Sequence, residues 1–136
     1  MGVKSHENRQ IKTEDDLAVV RGSVKRIVAL LNFSVVNQTK VVTAASELAR
    51  NTLEHGKGGN VEIQLLDEND RIGIRLNFSD NGPGIPDVGR AMEDGYTTGG
   101  GMGLGLGGAK RLMDEFAIES TSDGTRVSVT KWDHKG

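Results

Sequence analysis

The stretch "GGGMGLGLGGAKRLMDEF", residues 99–116, places seven glycines in its first ten positions and then runs straight into an apolar-periodic segment. Glycine loses more conformational freedom on folding than any other residue, so a run this dense asks for a reason. A flexible linker is the plain reading, but linkers lead between domains, and too little chain follows this one to build another. Glycines that end at a helix N-terminus can instead wrap a polyphosphate, because their backbone N–H groups and the positive end of the helix dipole face the anion. Two nucleotide motifs match only by count. Gly103, Gly105 and Gly108 satisfy G-x-G-x-x-G, but "EDGYTTGGGM" before them is no strand and the βαβ unit is missing. The P-loop pattern fails because Ala109 separates Gly108 from Lys110, and Arg111 stands where a hydroxyl would hold Mg²⁺.

Working outward, the run sits inside a chain of 136 residues, expected to be a single domain (1–136) able to bury about two-thirds of its unfolded surface. A formal net charge of −2 and a pI near 5.9 give no footprint for nucleic acid or an anionic membrane. No membrane-length apolar run and no signal-peptide core is present, and "MGVKSH" fits a myristoylation pattern only in part. With no cysteine there is no disulfide framework or thiolate metal site, and a cytoplasmic protein is expected.

Before the run, Leu17, Val20, Val24, Ile27, Val28 and Leu31 recur at helical spacing behind Thr13, a candidate N-cap, and predict a helix ending near Asn32. Val41, Ala45, Leu48 and Thr52 predict a second helix beginning after Asn37 and stopped by "HGKGG". "NVEIQLLDE" (60–68) and "RIGIRLNFSD" (71–80) alternate with period two and read as a hairpin turning at "DEND". Residues 80–101 carry both prolines and read as a long functional loop. Leu106, Ala109, Leu112, Met113 and Phe116 predict a third helix over about 105–115, and "AIESTSDGTRVSVTKW" predicts a hairpin joined at Asp123 and Gly124. Residues 8–12 offer an edge strand. The order gives an α+β fold, a two-layer sandwich.

Three clusters could carry chemistry. Glu47 and Asn51 lie one turn apart, so both project from one helix face; they read either as a solvated pair or as a carboxylate base beside an amide ligand for a hard cation. "DNGPGIP", Asp80 to Pro86, follows the strongest strand. A turn explains it, but an acid there can also accept from an exocyclic amine while Gly82 and Gly84 let a flat ring approach. The glycine run is the third.

Together, "ELARN", "DNGPG", "GGGMGLGLG" and the late "GT" at Gly124 and Thr125 resemble the four ordered boxes of the GHKL (Bergerat-fold) ATPases. The wider string "MEDGYTTGGGMGLGLGGAKRLMDEF", with Arg50 before Asn51, looks closest to the anti-sigma-factor-type serine kinases, in particular the switch kinases of bacterial stressosomes. The resemblance covers nearly the whole chain. It implies an ATP-binding α/β sandwich, a mixed, mostly antiparallel sheet with helices on one face. It further implies Glu47 as general base, Asn51 as ligand of Mg²⁺, Asp80 with Thr125 as partners of the adenine, and Gly82 and Gly84 as its seat. Gly101, Gly103, Leu104 and Gly105 would form the phosphate-facing end of a lid.

The activity implied is ATP-dependent phosphorylation of a serine on a STAS-domain protein, with switching to a PP2C-type phosphatase regulator. A nucleotide-holding anti-sigma or adaptor module that sequesters a partner is the alternative, and Glu47 favours the enzyme, since a pure ATP clamp needs no base there. The catalytic domain of a histidine kinase is disfavoured, as the sequence carries no dimerisation hairpin with an acceptor histidine. One departure stands out: "DGYTTGGGMG" lacks the basic residue that related kinases place near the terminal phosphate. Lys110 and Arg111 lie too far into the third helix to replace it readily, and His55 is as well explained by the helix dipole.

Overall fold

Period-two alternation in the middle of the chain produces the expected hairpin. β2 (Gly59–Asp67) pairs antiparallel with β3 (Arg71–Asp80), setting Val61 opposite Phe78 and Ile63 opposite Leu76. The computed structural model describes residues 2–85 and 105–134. Within them β1 (Gly2–Ile11) pairs with the outer edge of β2, and β5 (Gly124–His134) pairs with β3 on one side and β4 (Glu115–Thr121) on the other. The sheet order is β1-β2-β3-β5-β4. Among the described residues three helices accompany it: α1 (Glu14–Leu30), α2 (Val35–Glu54) and α3 (Gly105–Leu112).

The α+β expectation holds, with one correction: the sheet is antiparallel in all four described pairings rather than mixed. β3 and β4 both run antiparallel to β5, so they are parallel to each other, and the connection through α3 is a crossover into which β5 has inserted. That insertion removes the parallel contact. It also fixes the direction of α3. β3 ends at Asp80, beside Thr125, whereas β4 begins at Glu115, opposite Thr130, so α3 carries the chain from the Asp80 end of the sheet to the other.

Helical residues and one sheet face share the core. Val20, Val24, Ile27 and Val28 of α1 and Val41, Ala44, Ala45, Leu48 and Ala49 of α2 are buried with Val61, Ile63, Ile74, Leu76, Phe78, Val127 and Val129. Each larger apolar side chain removed from water stabilises the fold by about 1.5–3 kcal/mol. Leu106, Ala109 and Met113 extend this core under α3. The opposite sheet face is largely polar and satisfies itself: Asn77 Nδ2 donates to Glu62 and Gln64, Ser128 Oγ donates to Asn77 Oδ1, and Arg75 Nε donates to Thr130 Oγ1. A shallow cleft lies over these residues, its polar groups already partnered.

Boundaries differ where two patterns overlap. α2 begins at Val35, capped by Ser34, whose Oγ accepts from Asn37 N at 3.1 Å. α3 stops at Leu112, short of the expected 115, because Asp114 N donates to Thr130 O and Glu115 and Phe116 already pair with β5. The edge strand β1 runs through ten residues.

The start of α1 is held by a capping box. Asp16 Oδ2 accepts from Lys12 N and Thr13 N, and Asp16 N donates back to Thr13 Oγ1. The backbone hydrogen bond from Lys12 is the main cause that holds the Asp16 carboxyl below the usual aspartate range. The start of α2 is held from the sheet: Asp133 Oδ2 accepts from Ser34 N at 2.8 Å and Asn37 Nδ2 at 3.1 Å, while Oδ1 accepts from His134 N. Burial alone would raise the Asp133 carboxyl, but these donors outweigh it and hold it low. A depressed carboxyl contributes stability that is present above the ordinary aspartate range and lost as pH falls through the lowered value. Asp133→Asn is therefore expected to cost about 1 kcal/mol at neutral pH, with solvent screening at this partly exposed site allowed for. Urea unfolding at several pH values should show the gap to wild type closing as the acid range is entered.

Candidate functional site

The long helix α2 presents Glu47 and Asn51 from one face, one turn apart, as the spacing required. Glu47 is only 7 % exposed. Among the described residues no donor reaches its carboxylate, and no side-chain polar atom is both sealed from solvent and unpartnered. The side chain is thus covered by protein while its acidic end opens to solvent. Arg50, between them in sequence, turns to Glu54 and Glu14 at 3.3 and 3.7 Å and ties the last turn of α2 to the first of α1.

The end of α2 leads into the acid at the end of β3. Asn51 O accepts from His55 N and Gly56 N, which places Gly56 just beyond the turn that carries Asn51. Gly56 is buried against Asp80: a Cβ there would collide with the Asp80 carboxyl group. Only glycine permits this approach. Sequence reasoning took "HGKGG" as a helix stop and missed the contact, whose available signal was a glycine five residues after Asn51.

Asp80 uses its two oxygens differently. Oδ1 accepts from Gly82 N at 2.9 Å and from Thr125 N at 3.3 Å; no donor among the described residues is directed at Oδ2. The "DNGPG" segment is held by Ser120, whose Oγ accepts from Ile85 N at 2.7 Å and shares a 2.8 Å hydrogen bond with Thr125 Oγ1. Gly84 adopts φ +83°, and a Cβ there would strike Thr121 O, so the segment lies flat against β4. Ser120 was not singled out in the sequence, where it reads only as one more residue of an alternating strand.

The end of α2 that carries Asn51, with Glu47 one turn before it, thus meets Asp80 through Gly56, and Asp80 and Ser120 hold Gly82, Thr125 and the Gly84 segment together. Gly105 opens α3, whose amino end points to this end of the sheet. Gly101, Gly103 and Leu104 lie outside the described residues, as does most of the segment read as a lid. Lys110 is exposed in the last turn of α3 with Arg111, and His55 caps α2.

The donor set fits a purine nucleotide. One Asp80 oxygen meets no donor among the described residues and could accept from an exocyclic amine, a glycine-lined wall stands beside it, and a helix amino end faces the same side. For a hard cation, the Asn51 amide oxygen is suitable. No group of three acidic, histidine or cysteine side chains gathers among the described residues, so a cation here would be held largely by phosphates and water, as Mg²⁺ commonly is.

Known proteins with the same organisation were found at three levels. The chain is 40% identical over 124 residues to the serine/threonine-protein kinase RsbT of Bacillus subtilis (strain 168), covering 90% of this chain and 93% of that one. It is 35% identical over 120 residues to the anti-sigma F factor of Clostridium novyi (strain NT), covering 82% of each. Among solved structures, the RsbU and RsbW domains of Rv1364c from Mycobacterium tuberculosis superpose with a TM-score of 0.64 at 19% identity, over 94% of this chain and 32% of that longer one, a likeness of fold. The family model described as the histidine kinase-like ATPase domain matches residues 12–131, from just before α1 through most of β5. Both long helices, α3, strands β2 to β4, most of β5 and the surface around Asp80 fall within that span, with β1 before it, and the chain belongs to the histidine kinase-like ATPase domain family.

Proposed function

We propose that this chain is an ATP-dependent protein serine kinase that also switches between protein partners. Its substrate would be a STAS-domain scaffold of a bacterial stress response, and its second partner a PP2C-type phosphatase that it activates. One observation carries the enzymatic reading: Glu47 is a covered carboxylate that no donor reaches among the described residues, one helical turn from Asn51, and a module that only clamps ATP has no use for it. The likeness to the Bacillus subtilis serine/threonine-protein kinase supports it.

In this reading Asp80 Oδ2 accepts from the adenine amino group, while Gly82 and Thr125 hold the carboxylate in place through Oδ1. Gly82 and Gly84 seat the base, and the amino end of α3 at Gly105 faces the phosphates, with Gly101, Gly103 and Leu104 preceding it. Asn51 would hold Mg²⁺, which when bound offsets the phosphate charge. Glu47 takes the proton from the serine hydroxyl as its oxygen bonds to the γ-phosphorus; the bond from that phosphorus to the β-bridging oxygen breaks and ADP leaves. Catalysis then rests on positioning and charge neutralisation.

The anti-sigma F factor relatives favour a second reading, a nucleotide-holding module that sequesters a partner with little transfer. Incubation with labelled ATP, Mg²⁺ and purified STAS-domain proteins, scoring both transfer and complex formation, separates the two. Complexes without phosphoserine would overturn the kinase.

Three variants sharpen the test. Glu47→Ala is expected to keep ATP affinity while transfer falls by about 10²-fold or more, measured as initial rate at saturating ATP; an unchanged rate removes Glu47 from the chemistry. Asp80→Asn is expected to abolish nucleotide binding by isothermal titration, because the amide presents the wrong group to Gly82, Thr125 or the adenine. Gly56→Ala pushes a methyl group into the Asp80 carboxyl and should weaken ATP at least tenfold with the fold intact by circular dichroism.

A further inference from the structure

Lys131 is 7 % exposed and sits on the helix-facing side of β5, opposite Ile74. Its Nζ donates to Leu112 O at 3.1 Å, the last residue of α3, and to Asp114 Oδ1 at 3.2 Å. Asp114 completes the arrangement: its Oδ2 accepts from Trp132 N at 2.8 Å, and its own N–H donates to Thr130 O. Three consecutive residues of β5 thus grip the carboxyl end of one short helix.

Stability alone does not account for a lysine here. Only the lysine of this pair is buried; desolvating its ammonium is costly and a partly exposed carboxylate offsets that cost only in part, so Met would serve a structural role as well. The particular place is more informative. The final carbonyls of a helix lack intrahelical partners and carry the negative end of its dipole, and Lys131 meets both needs at once. α3 also needs outside support. It is eight residues long, about 12 Å, and three of those residues are glycines, a length and composition that would not hold a helix in isolation. Its amino end points to the Asp80 end of the sheet, so whatever fixes its carboxyl end sets where the amino end stands.

We infer that Lys131, with Asp114, is a positioning residue for the triphosphate: by clamping the carboxyl end of α3 it holds the Gly105 end in register with the phosphates. This rests on the nucleotide reading above. It differs from a packing role in what it governs, the phosphate part of the ligand and not the adenosine part.

The experiment is isothermal titration of the full chain with adenosine and with Mg·ATP, run beside thermal unfolding. Lys131→Met is expected to unfold within a few degrees of wild type and to bind adenosine within twofold, while ATP affinity falls about tenfold. Lys131→Arg, which keeps the donor, should recover most of that loss. Asp114→Asn, whose partly exposed side chain can be changed with little risk to folding, should shift ATP in the same direction by about threefold with adenosine unchanged. Equal weakening of adenosine and ATP, or ATP affinity that stays at the wild-type value, overturns the proposal. A wild-type protein that binds adenosine and ATP equally overturns instead the placement of α3 at the phosphates, and one that binds neither overturns the nucleotide reading itself.

Discussion

The carboxylate of Asp80 divides its work between the fold and the site. Oδ1 is committed to two backbone donors from two segments, Gly82 in the loop that leaves β3 and Thr125 at the start of β5. Those bonds fix the rotamer, and with it the direction of Oδ2, without any contribution from a ligand. Gly56 backs the same group from the end of α2. A single acid thereby gathers three stretches far apart in sequence, and the oxygen left over is oriented before anything binds. Such preorganisation lowers the ordering cost of binding.

The antiparallel sheet explains why this convergence occurs at one end. β5 lies between β3 and β4, so the crossover through α3 must span an intervening strand, and it delivers the amino end of α3 back to the end of β3 where Asp80 stands. α2 closes the same end, because its last turn, through Asn51 and Gly56, reaches Asp80. The glycine-lined wall beside Asp80, the helix amino end and the Asn51 amide are then brought together by chain direction. The other face of the sheet offers a cleft, yet among the described residues its Asn77 and Arg75 side chains are already hydrogen-bonded to neighbouring strands.

Much of this was legible in the sequence, and the misses have physical causes. The hairpin of β2 and β3 declared itself because Val61, Ile63, Ile74 and Leu76 obey the period of a half-buried sheet. The start of α2 did not, because Val35 and Val36 in its first turn stay largely exposed, so the apolar stripe begins a turn later than the helix. α3 looked too long because Phe116 fits the helical spacing as well as the strand alternation; pairing with Val129, which no local pattern reveals, decided it. Glu47, Asn51, Asp80 and Thr125 were readable as separate chemical groups, and the structure supplies their contiguity. Gly56 and Ser120 were not readable, since each matters only through a neighbour distant in sequence.

Strand β5 shows how one element serves both packing and site. Its helix-facing residues alternate from Thr125 through Val127 and Val129 to Lys131 and Asp133. The first binds Ser120 at the site, the next two lie in the core, Lys131 holds the end of α3, and Asp133 holds the start of α2. Both helices that meet the site are therefore fastened to the same strand at the far end of the sheet, each by a charged side chain at a helix terminus. At the site end the described contacts include the Arg50–Glu14 pair, the Ser120 hydroxyl between Ile85 and Thr125, backbone N–H groups on Asp80 Oδ1 and glycines in close approach. Because the period of a strand is two, a one-residue slip of β5 would turn this whole column to the opposite face, removing both anchors together with Thr125. The register of a single strand consequently couples the core to the geometry of the site.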